Sequence, residues 1–329
     1  MLNSKHQAVD TKKFGKVAVL FGGNSGEREV SLRSGEAVVE GLKEQSINVV
    51  GIDSSKDVIK QLSTGDFDRA FIALHGKGGE DGVIQGLLET MNIPYTGSGV
   101  MGSAIGMDKL RSKQIWEQSE LPVIPSASLK AGQQITEIEA SQLLVKFGNA
   151  VMVKPSAEGS SLGMTKAQTK EQLLEAIDKA SEYGGEVLVE QWITGPEYTV
   201  SILKAEALPA VKIQPAREFY DYEAKYAQSG TEYFCPCGLS AEQENELKTM
   251  ALQAFDTIGC TGWGRVDFIQ NKSSGQFYLL EANTVPGLTE TSLVPMSAKQ
   301  AGYSFSQLVI DILTTSLTEQ KLTEEVASE

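Results

Sequence analysis

Short apolar runs alternate with helix-patterned segments over the first third of the chain. Three of the runs have the length of buried strands: 16–21, 48–53 and 69–74. Helical spacing of apolar residues is found over 27–43 and 83–91, and a glycine-rich loop, 75–82, ends the third strand. The alternation predicts an α/β fold with a parallel sheet and crossover helices, whose ligands collect at the carboxyl ends of the strands.

The middle and the end of the chain predict further helices and strands. The middle elements are a helix over 103–119, a strand over 151–155, a helix over 170–183 and a strand over 186–190. Residues 193–197 form a turn that we expect to act as a hinge. Residues 214–239 are aromatic and lack clear periodicity, which indicates either a functional loop or a segment whose secondary structure is wrongly assigned. The last elements are a helix over 240–258, a hairpin over 264–283 and a helix over 304–317.

These elements predict five successive segments. They are a polar N-terminal extension over 1–15, an α/β domain over 16–108, a central subdomain over 109–192, a C-terminal subdomain over 193–317 and an acidic tail over 318–329. The chain of 329 residues is about twice as long as a typical domain of ~150 residues, which agrees with a division into two or three domains.

The balance of charge excludes one class of partner. Lys and Arg number 29 against 43 Asp and Glu, which gives a formal net charge of −14. Phosphate backbones and anionic membranes repel such a protein, so we expect neither nucleic acid nor a membrane as a partner. No apolar run approaches the roughly 20 residues that span a bilayer, and residues 1–15 lack the apolar core of a secretory signal.

The cysteines indicate the compartment. Cys235, Cys237 and Cys260 are too few for a disulfide framework, and the Cys-x-Cys pair lacks a partner pair at zinc-binding spacing. We therefore expect reduced cysteines with packing or loop roles in a cytoplasmic protein.

The predicted hairpin carries the most informative pair of side chains. With a turn centred near residue 274, Asp267 falls opposite Glu281, and period-2 alternation places Arg265 and Asn283 on the same face. Two facing carboxylates repel by roughly 3 kcal/mol at about 5 Å and an effective dielectric of about 20. Carboxylate and amide oxygens are typical Mg²⁺ ligands, so a divalent cation is one way to offset the repulsion. An exposed hairpin face, screened by salt, is the other, and the pattern leaves both open.

A second candidate is Lys154 with the small-residue loop 158–163. A lysine at a strand end, followed by residues able to present backbone N–H groups, is one way to hold a phosphate in an acidic protein. A glycine- and serine-rich surface hairpin is the alternative for the loop alone. The loop is not a Walker A motif, and residues 22–26 do not fit the dinucleotide fingerprint.

The same loop contains Gly159-x-Ser161-x-Gly163, the nucleophile-elbow pattern of serine hydrolases. That fold places its catalytic histidine after the serine, whereas the two histidines, His6 and His75, both precede it. A serine hydrolase of this type is therefore excluded. His75, at a predicted strand end, and Glu27, at a predicted helix start, would not be selected on their residue type alone.

The chain resembles D-alanine–D-alanine ligases of the ATP-grasp superfamily over residues 16–316. The matching stretches are 22–31, 73–82, 94–99, 107–109, 153–155, 158–161, 220–226, 264–267, 280–284 and 292–295. The resemblance implies an N-terminal parallel-sheet substrate domain followed by two ATP-grasp subdomains that hold ATP between them. It also implies that residues 214–239 form a lid and that the protein is a homodimer in a bacterial cytoplasm.

The resemblance implies a two-step reaction for peptidoglycan synthesis. The first D-alanine carboxylate takes the γ-phosphoryl group of ATP, and the amino group of a second D-alanine attacks the acyl phosphate. Two Mg²⁺ or Mn²⁺ ions would be bound by Asp267, Glu281 and Asn283. The residues implied to bind ATP are Lys109 and Lys154 at the phosphates, Glu190, Gln191, Trp192 and Ile193 at the adenine, Glu197 at the ribose, and Lys225 from the lid.

Further roles are implied for residues that contact D-alanine. Arg265 would stabilise the transferring phosphoryl group and the tetrahedral oxyanion. Glu27 would bind the first ammonium group with His75 near its carboxylate, and Ser160 and Tyr226 would link Glu27 to the lid. Ser292 and Leu293 would receive the second carboxylate.

Two alternatives are related enzymes: a D-alanine–D-lactate ligase and another ATP-grasp carboxylate–amine ligase. A third belongs to a different class, a nucleotide-binding regulator without catalysis. Tyr226 and the Glu27/Ser160 pair disfavour the first two, and D-lactate-using relatives tend to carry phenylalanine at position 226. The retained Arg265 and metal-ligand set disfavours the regulator. Val285 and Thr291 depart from the serine and histidine frequent in relatives, which leaves selectivity for the second substrate open.

Overall fold

A parallel sheet of strand order β2–β1–β3 forms the first part of the computed structural model, which describes residues 10–215 and 230–317. Its strands are β1 Lys16–Phe21, β2 Asn48–Asp53 and β3 Arg69–Ile72. The helices that follow are α1 Arg28–Glu44, α2 Val58–Gly65, α3 Val83–Thr90, α4 Val100–Met107 and α5 Lys109–Gln118. The predicted parallel α/β arrangement is confirmed, with β1 buried in the centre of the sheet.

The predicted helix over 103–119 is wrong in one respect, because it is two helices that meet at Asp108. The Asp108 carboxylate accepts hydrogen bonds from the backbone N–H groups of Leu110, at 3.1 Å, and Arg111, at 3.2 Å. A side chain that caps the N-terminus of α5 in this way ends the preceding helix. Residues 11–14 form a short 3-10 helix, and Phe14 at its end is fully buried.

The second sheet is antiparallel, with the order β4–β7–β5–β6. Its strands are β4 Ser126–Leu129, β5 Val151–Pro155, β6 Thr165–Ala167 and β7 Val187–Gln191. Two helices cover one face, α6 Glu137–Lys146 and α7 Lys170–Ser181. Each begins with a reciprocal capping box, Thr136 with Glu139 and Thr169 with Gln172. Strand β5 carries Lys154 into the interior of the molecule, where it is buried.

The third sheet has the order β11–β10–β8–β12–β13, with β9 paired to β8. Its strands are β8 Glu197–Leu203, β9 Glu206–Ala207, β10 Val211–Gln214, β11 Glu232–Phe234, β12 Trp263–Gln270 and β13 Phe277–Asn283. The associated helices are α8 Ala241–Thr257, α9 Leu293–Gln300 and α10 Phe305–Thr314, followed by a 3-10 turn over Thr315–Leu317. Helix α10 packs its apolar face into the core of the first sheet against α1.

The predicted register of the hairpin is confirmed at the candidate site residues. Asp267 lies opposite Glu281, and Arg265 lies opposite Asn283. A bulge between Asp267 and Phe268 places Phe268 opposite Leu279, so that Leu280 is the extra residue on β13.

Other predictions concern disulfides, membranes and segment boundaries. The three cysteines form no disulfide, as expected. Over residues 10–215 and 230–317, no helix is both long and apolar enough to cross a bilayer. The division of the chain into five segments stays a prediction. Most of the predicted lid, 216–229, and the whole predicted tail, 318–329, lie outside the described residues.

Candidate functional site

Two cavities meet at the hairpin formed by β12 and β13. The inner cleft lies between the second and third sheets, and its lining includes Lys109, Lys154, Glu190, Gln191, Trp192, Ile193, Glu197, Asp267, Leu280 and Glu281. The polar pocket lies between the third sheet and the strand ends of the first, and its lining includes Glu27, His75, Glu80, Ser160, Arg265, Asn283, Val285, Thr291, Ser292 and Leu293. One face of the hairpin therefore serves both cavities: the pair Asp267/Glu281 lines the cleft and the next pair, Arg265/Asn283, lines the pocket.

Asp267 is the centre of a dense hydrogen-bond network. Its carboxylate accepts from Arg265 Nε and Nη2, both at 2.8 Å, from Thr199 Oγ1 at 2.6 Å and from Asn283 Nδ2 at 3.0 Å. The opposite carboxylate, Glu281, pairs with Lys109 Nζ at 3.0 Å. Arg265 and Lys109 thus supply positive charge that offsets the repulsion anticipated from the sequence.

The same residues have the donor chemistry of a divalent-cation site. Two carboxylates and a side-chain amide sit on adjacent cross-strand pairs, and such oxygen donors suit hard cations. Asp267 and Glu281 are the two carboxylates of this set, and Asn283 supplies the amide. Within the described part of the chain, no group of three or more His, Cys, Asp or Glu side chains could hold a metal ion.

Lys109 connects the second sheet to the hairpin. Besides its ion pair with Glu281, its Nζ donates to the backbone carbonyl of Glu158 at 2.6 Å. Burial alone would lower the pKa of Lys109, but the nearby Glu281 carboxylate outweighs it and the net pKa is raised. The ammonium group is therefore charged and fixed at the rim between the two cavities.

A buried cluster of Lys113, Lys154 and Glu190 forms the back of the cleft. Glu190 Oε1 lies 2.8 Å from Lys113 Nζ, and Oε2 lies 2.7 Å from Lys154 Nζ. Burial would raise the pKa of Glu190, but the two ammonium groups outweigh it and the net pKa is lowered. For Lys113, burial lowers the pKa and the nearby Glu190 carboxylate raises it; burial is the larger effect, so the net pKa is lowered. Glu190 is thus held as a carboxylate with both oxygens next to cations.

Glu27 and the loop that carries Ser160 both line the polar pocket, and they approach each other at Gly159. Glu27 precedes α1 and is buried, and a Cβ atom on Gly159 would lie 2.5 Å from its Oε1 atom. Only glycine allows the loop to approach the carboxylate this closely. The next residue, Ser160, is buried with φ +49°, a left-handed conformation that is uncommon for serine.

Both ring nitrogens of His75 bond to protein groups. Nδ1 lies 2.7 Å from the Val285 carbonyl oxygen, which can only accept, so Nδ1 carries the proton. Nε2 lies 3.0 Å from the Ser34 hydroxyl, which donates to it in this tautomer. Burial lowers the pKa of His75 and keeps the ring neutral. His75 therefore lines the pocket and also fixes the backbone at Val285.

Glu80 is a site residue that the sequence interpretation missed. Its Oε2 accepts from the Gly76 N–H at 2.7 Å, and its Oε1 accepts from the Val285 N–H at 3.3 Å. Burial, reinforced by the Glu27 carboxylate, raises the pKa of Glu80 to about 8. The available signal was its place in the glycine-rich loop at the end of β3, where ligand-edge residues are expected.

Comparisons with known proteins decide the family. Residues 16–63 and 54–98 match the family model described as D-ala D-ala ligase N-terminus, and residues 115–314 match D-ala D-ala ligase C-terminus. The chain belongs to the D-alanine–D-alanine ligase family.

Two relatives named D-alanine--D-alanine ligase cover almost the whole chain. The protein of Pseudoalteromonas atlantica is 53% identical over 96% of this chain and 99% of its own, and that of Ectopseudomonas mendocina is 51% identical over 95% and 98%.

Solved structures agree with this assignment. A D-alanine--D-alanine ligase from Bacillus anthracis superposes with a TM-score of 0.82 at 34% identity, covering 94% of this chain and 99% of its own. A structure of the Bacillus anthracis enzyme complexed with ATP superposes with a TM-score of 0.81 at 31% identity, with the same coverage. The ATP-grasp fold, with its parallel-sheet N-terminal domain, is thereby established for this chain.

Within the ligase fold, the described candidate residues fall into the two cavities as grouped above. Ser292 is the N-cap of α9, and its hydroxyl accepts from the Thr289 N–H at 3.0 Å. The first turn of α9, with Leu293, therefore faces the polar pocket, and a helix N-terminus favours a carboxylate. Lys225 and Tyr226 lie outside the described residues.

Proposed function

We propose that this protein is an ATP-dependent D-alanine–D-alanine ligase that makes D-alanyl-D-alanine for peptidoglycan synthesis, releasing ADP and phosphate. The observation that carries the proposal is the shared hairpin face, which joins a cleft of nucleotide-binding character to a polar pocket. Phosphoryl transfer from ATP to a carboxylate requires both substrates to meet at one place.

In the first step, a carboxylate oxygen of D-alanine attacks the γ-phosphorus of ATP, the bond to the β-phosphate bridging oxygen breaks, and ADP leaves. Lys109 and Lys154 neutralise phosphate charge from the cleft side, and Arg265 does so from the pocket side. Arg265 is held by two hydrogen bonds to Asp267, so its charge is already oriented before the substrates bind. Glu190, Gln191, Trp192 and Ile193 line the cleft where the adenine is assigned, and Glu197 is assigned to the ribose.

Asp267, Glu281 and Asn283 are the residues that would hold two Mg²⁺ or Mn²⁺ ions. When bound, these ions would supply charge neutralisation to the ATP phosphates. In this structure Lys109 pairs with Glu281 and Arg265 pairs with Asp267. The carboxylates that would hold the ions are therefore already in contact with cationic side chains.

In the second step, the amino group of another D-alanine attacks the acyl carbon, and phosphate leaves with the bonding electron pair of its C–O bond. The attacking ammonium must first lose a proton. We assign the N-terminus of α9 to the carboxylate of this second D-alanine, and Arg265 to the oxyanion that forms on the acyl carbon. Glu27 is assigned to the ammonium of the first D-alanine, next to a neutral His75.

The remaining assignments follow from the family resemblance. Tyr226 and Lys225 are assigned to a lid that shields the acyl phosphate from water, with Tyr226 linked through Ser160 to Glu27. We assign the protein to the cytoplasm and to a homodimer. Sedimentation equilibrium at micromolar concentration tests the dimer, and a single species with the mass of one chain would contradict it.

A coupled assay tests the function. ADP release is measured with ATP, Mg²⁺ and D-alanine, and the products are identified by mass spectrometry, with L-alanine and D-lactate in parallel. The expected result is D-alanine-dependent ADP release with D-alanyl-D-alanine as product, lost on chelation with EDTA and restored by Mg²⁺ or Mn²⁺. Turnover only with another amine or hydroxy acid would overturn the substrate assignment, and tight ATP binding without turnover would favour a regulator.

A further inference from the structure

The buried cluster behind the inner cleft contains one lysine with no assigned role. Lys109 and Lys113 are four residues apart on α5 and lie on the same face of that helix. Lys109, Lys154 and Glu190 line the cleft, whereas Lys113 is outside its lining. Lys113 is 3% exposed and lies 2.8 Å from Glu190 Oε1.

The cluster carries an excess of positive charge. Two ammonium groups, Lys113 and Lys154, share the single carboxylate of Glu190, and all three residues are buried. An unbalanced charge in a site shielded from water is costly unless an anion compensates it. The cleft is where an anion can reach the cluster, and Lys154 is the ammonium group that faces it.

Lys154 and Lys113 therefore differ in their access to a ligand in the cleft. Lys154 can turn its ammonium toward a phosphate in the cleft only if Glu190 keeps another cation beside it. Lys113 provides that cation from behind. If Lys113 were absent, Lys154 would have to stay with Glu190, because leaving would strand a buried carboxylate.

We propose that Lys113 is a positioning residue of the nucleotide site: it holds Glu190 from behind and so leaves Lys154 available to the phosphates. This inference rests on the proposed function as far as the ligand is a nucleotide, but it does not require the D-alanine chemistry. Lys113 does not contact the nucleotide itself.

The test compares ADP with adenosine, because the ratio of their affinities reports the contribution of the phosphates. In Lys113→Met, we expect the ADP dissociation constant, measured by calorimetry with Mg²⁺, to rise about tenfold or more. Adenosine, measured by competition, is expected to change about threefold or less. KM for ATP rises accordingly, while KM for D-alanine stays within about twofold. Lys170→Met, which removes a surface ion pair with Glu137, is the matched control and should change neither constant.

A second background separates positioning from a merely structural role. In Glu190→Gln there is no buried carboxylate for Lys113 to balance, so adding Lys113→Met should leave the ADP-to-adenosine ratio within about twofold of Glu190→Gln alone. This comparison can overturn the inference even if the single Lys113→Met variant fails to fold. A further tenfold loss of ADP affinity in the double variant would overturn the inference, because Lys113 would then act on the phosphates directly.

Two other outcomes have definite meanings. A folded Lys113→Met variant with an unchanged ADP-to-adenosine ratio overturns the inference. If the wild-type protein shows no D-alanine-dependent turnover while ADP binding depends on Lys113 as described, the proposed function fails and the inference stands.

Discussion

Replacing Asp267 by asparagine should disable the site while leaving the fold intact. The substitution keeps the size of the side chain and removes its charge. Asp267 now accepts two hydrogen bonds from Arg265 and one each from Thr199 and Asn283. An asparagine at this position has one oxygen acceptor, and its amide group would face donors. We therefore expect Arg265 to lose its fixed orientation.

The size of the effect follows from these contacts. A hydrogen bond to a charged group contributes about 1.5–3 kcal/mol, and the Arg265 fork contains two of them. A net loss of about 3 kcal/mol from the oriented guanidinium corresponds to a fall in kcat/KM of roughly 150-fold. Loss of a metal ligand would lower kcat/KM further. The fall calculated from Arg265 alone is therefore the smallest fall that we expect.

The assay is D-alanine-dependent ADP release at saturating ATP, repeated over a range of Mg²⁺ concentrations. If Asp267 only anchors Arg265, kcat/KM falls at every Mg²⁺ concentration and the half-saturating concentration is unchanged. If it also binds metal, that concentration rises. Asp178→Asn, an exposed aspartate on α7, is the control for the substitution and should behave as wild type. A folded Asp267→Asn variant within tenfold of wild-type kcat/KM would refute the reasoning.

Further predictions concern the residues that support the polar pocket and the termini. Native Glu80 keeps a proton up to about pH 8 that the unfolded chain releases near its ordinary pKa of 4.5, so this group makes stability fall as pH rises between those values. In urea unfolding, Glu80→Gln should flatten that slope, and an unchanged slope would contradict the pKa assignment. His75→Phe removes the hydrogen bond to Val285 and should raise KM for D-alanine more than KM for ATP; equal changes would argue against a local effect. Arg69→Met leaves the buried carbonyls of Phe14 and Ser316 without their guanidinium donor and should lower the free energy of unfolding by about 2–4 kcal/mol with little change in KM. A loss below about 0.5 kcal/mol would contradict a structural role for this arginine.

The hairpin shows how far local sequence pattern can go. Its facing pair, Asp267 and Glu281, follows from strand alternation and an assumed turn centre at residue 274. In the structure Gln270 pairs with Phe277, which places the turn half a residue earlier, and the bulge at Leu280 restores the expected pairing. The prediction was right at the site because two unseen features cancel. Neither the bulge nor the turn centre is encoded in periodicity.

The break at Asp108 was within reach of sequence reasoning. Apolar spacing continues through the 103–119 segment, which is why one helix was expected, but aspartate is one of the residues preferred at a helix N-cap. By contrast, α2 and α6 were missed because their apolar faces are short. In α6, Ile138 and Val145 are even exposed, so its periodicity does not report burial.

Lys113 and Glu80 were missed for a different reason. Their roles depend on partners far away in the chain: Glu190 for Lys113 and Val285 for Glu80. Spacing identifies residues that share one helix face or one strand, and it cannot pair a helix with a strand of another sheet. The residues implied by the family resemblance do not include these two either.

The site is assembled from all three sheets, and this has an energetic consequence. Glu27 and His75 come from the first sheet, Lys154 from the second and Asp267 from the third, so none of the sheets contains a site by itself. Lys109 connects two of them by binding both the Glu158 carbonyl and the Glu281 carboxylate. The second sheet has an apolar core of its own, whereas the core of the first sheet also contains Leu203 and Trp263 of the third. Small shifts of the second sheet against the other two therefore cost little packing energy but move charges that must be aligned for phosphoryl transfer. Activity should be more sensitive than stability to substitutions at the Lys109 contacts.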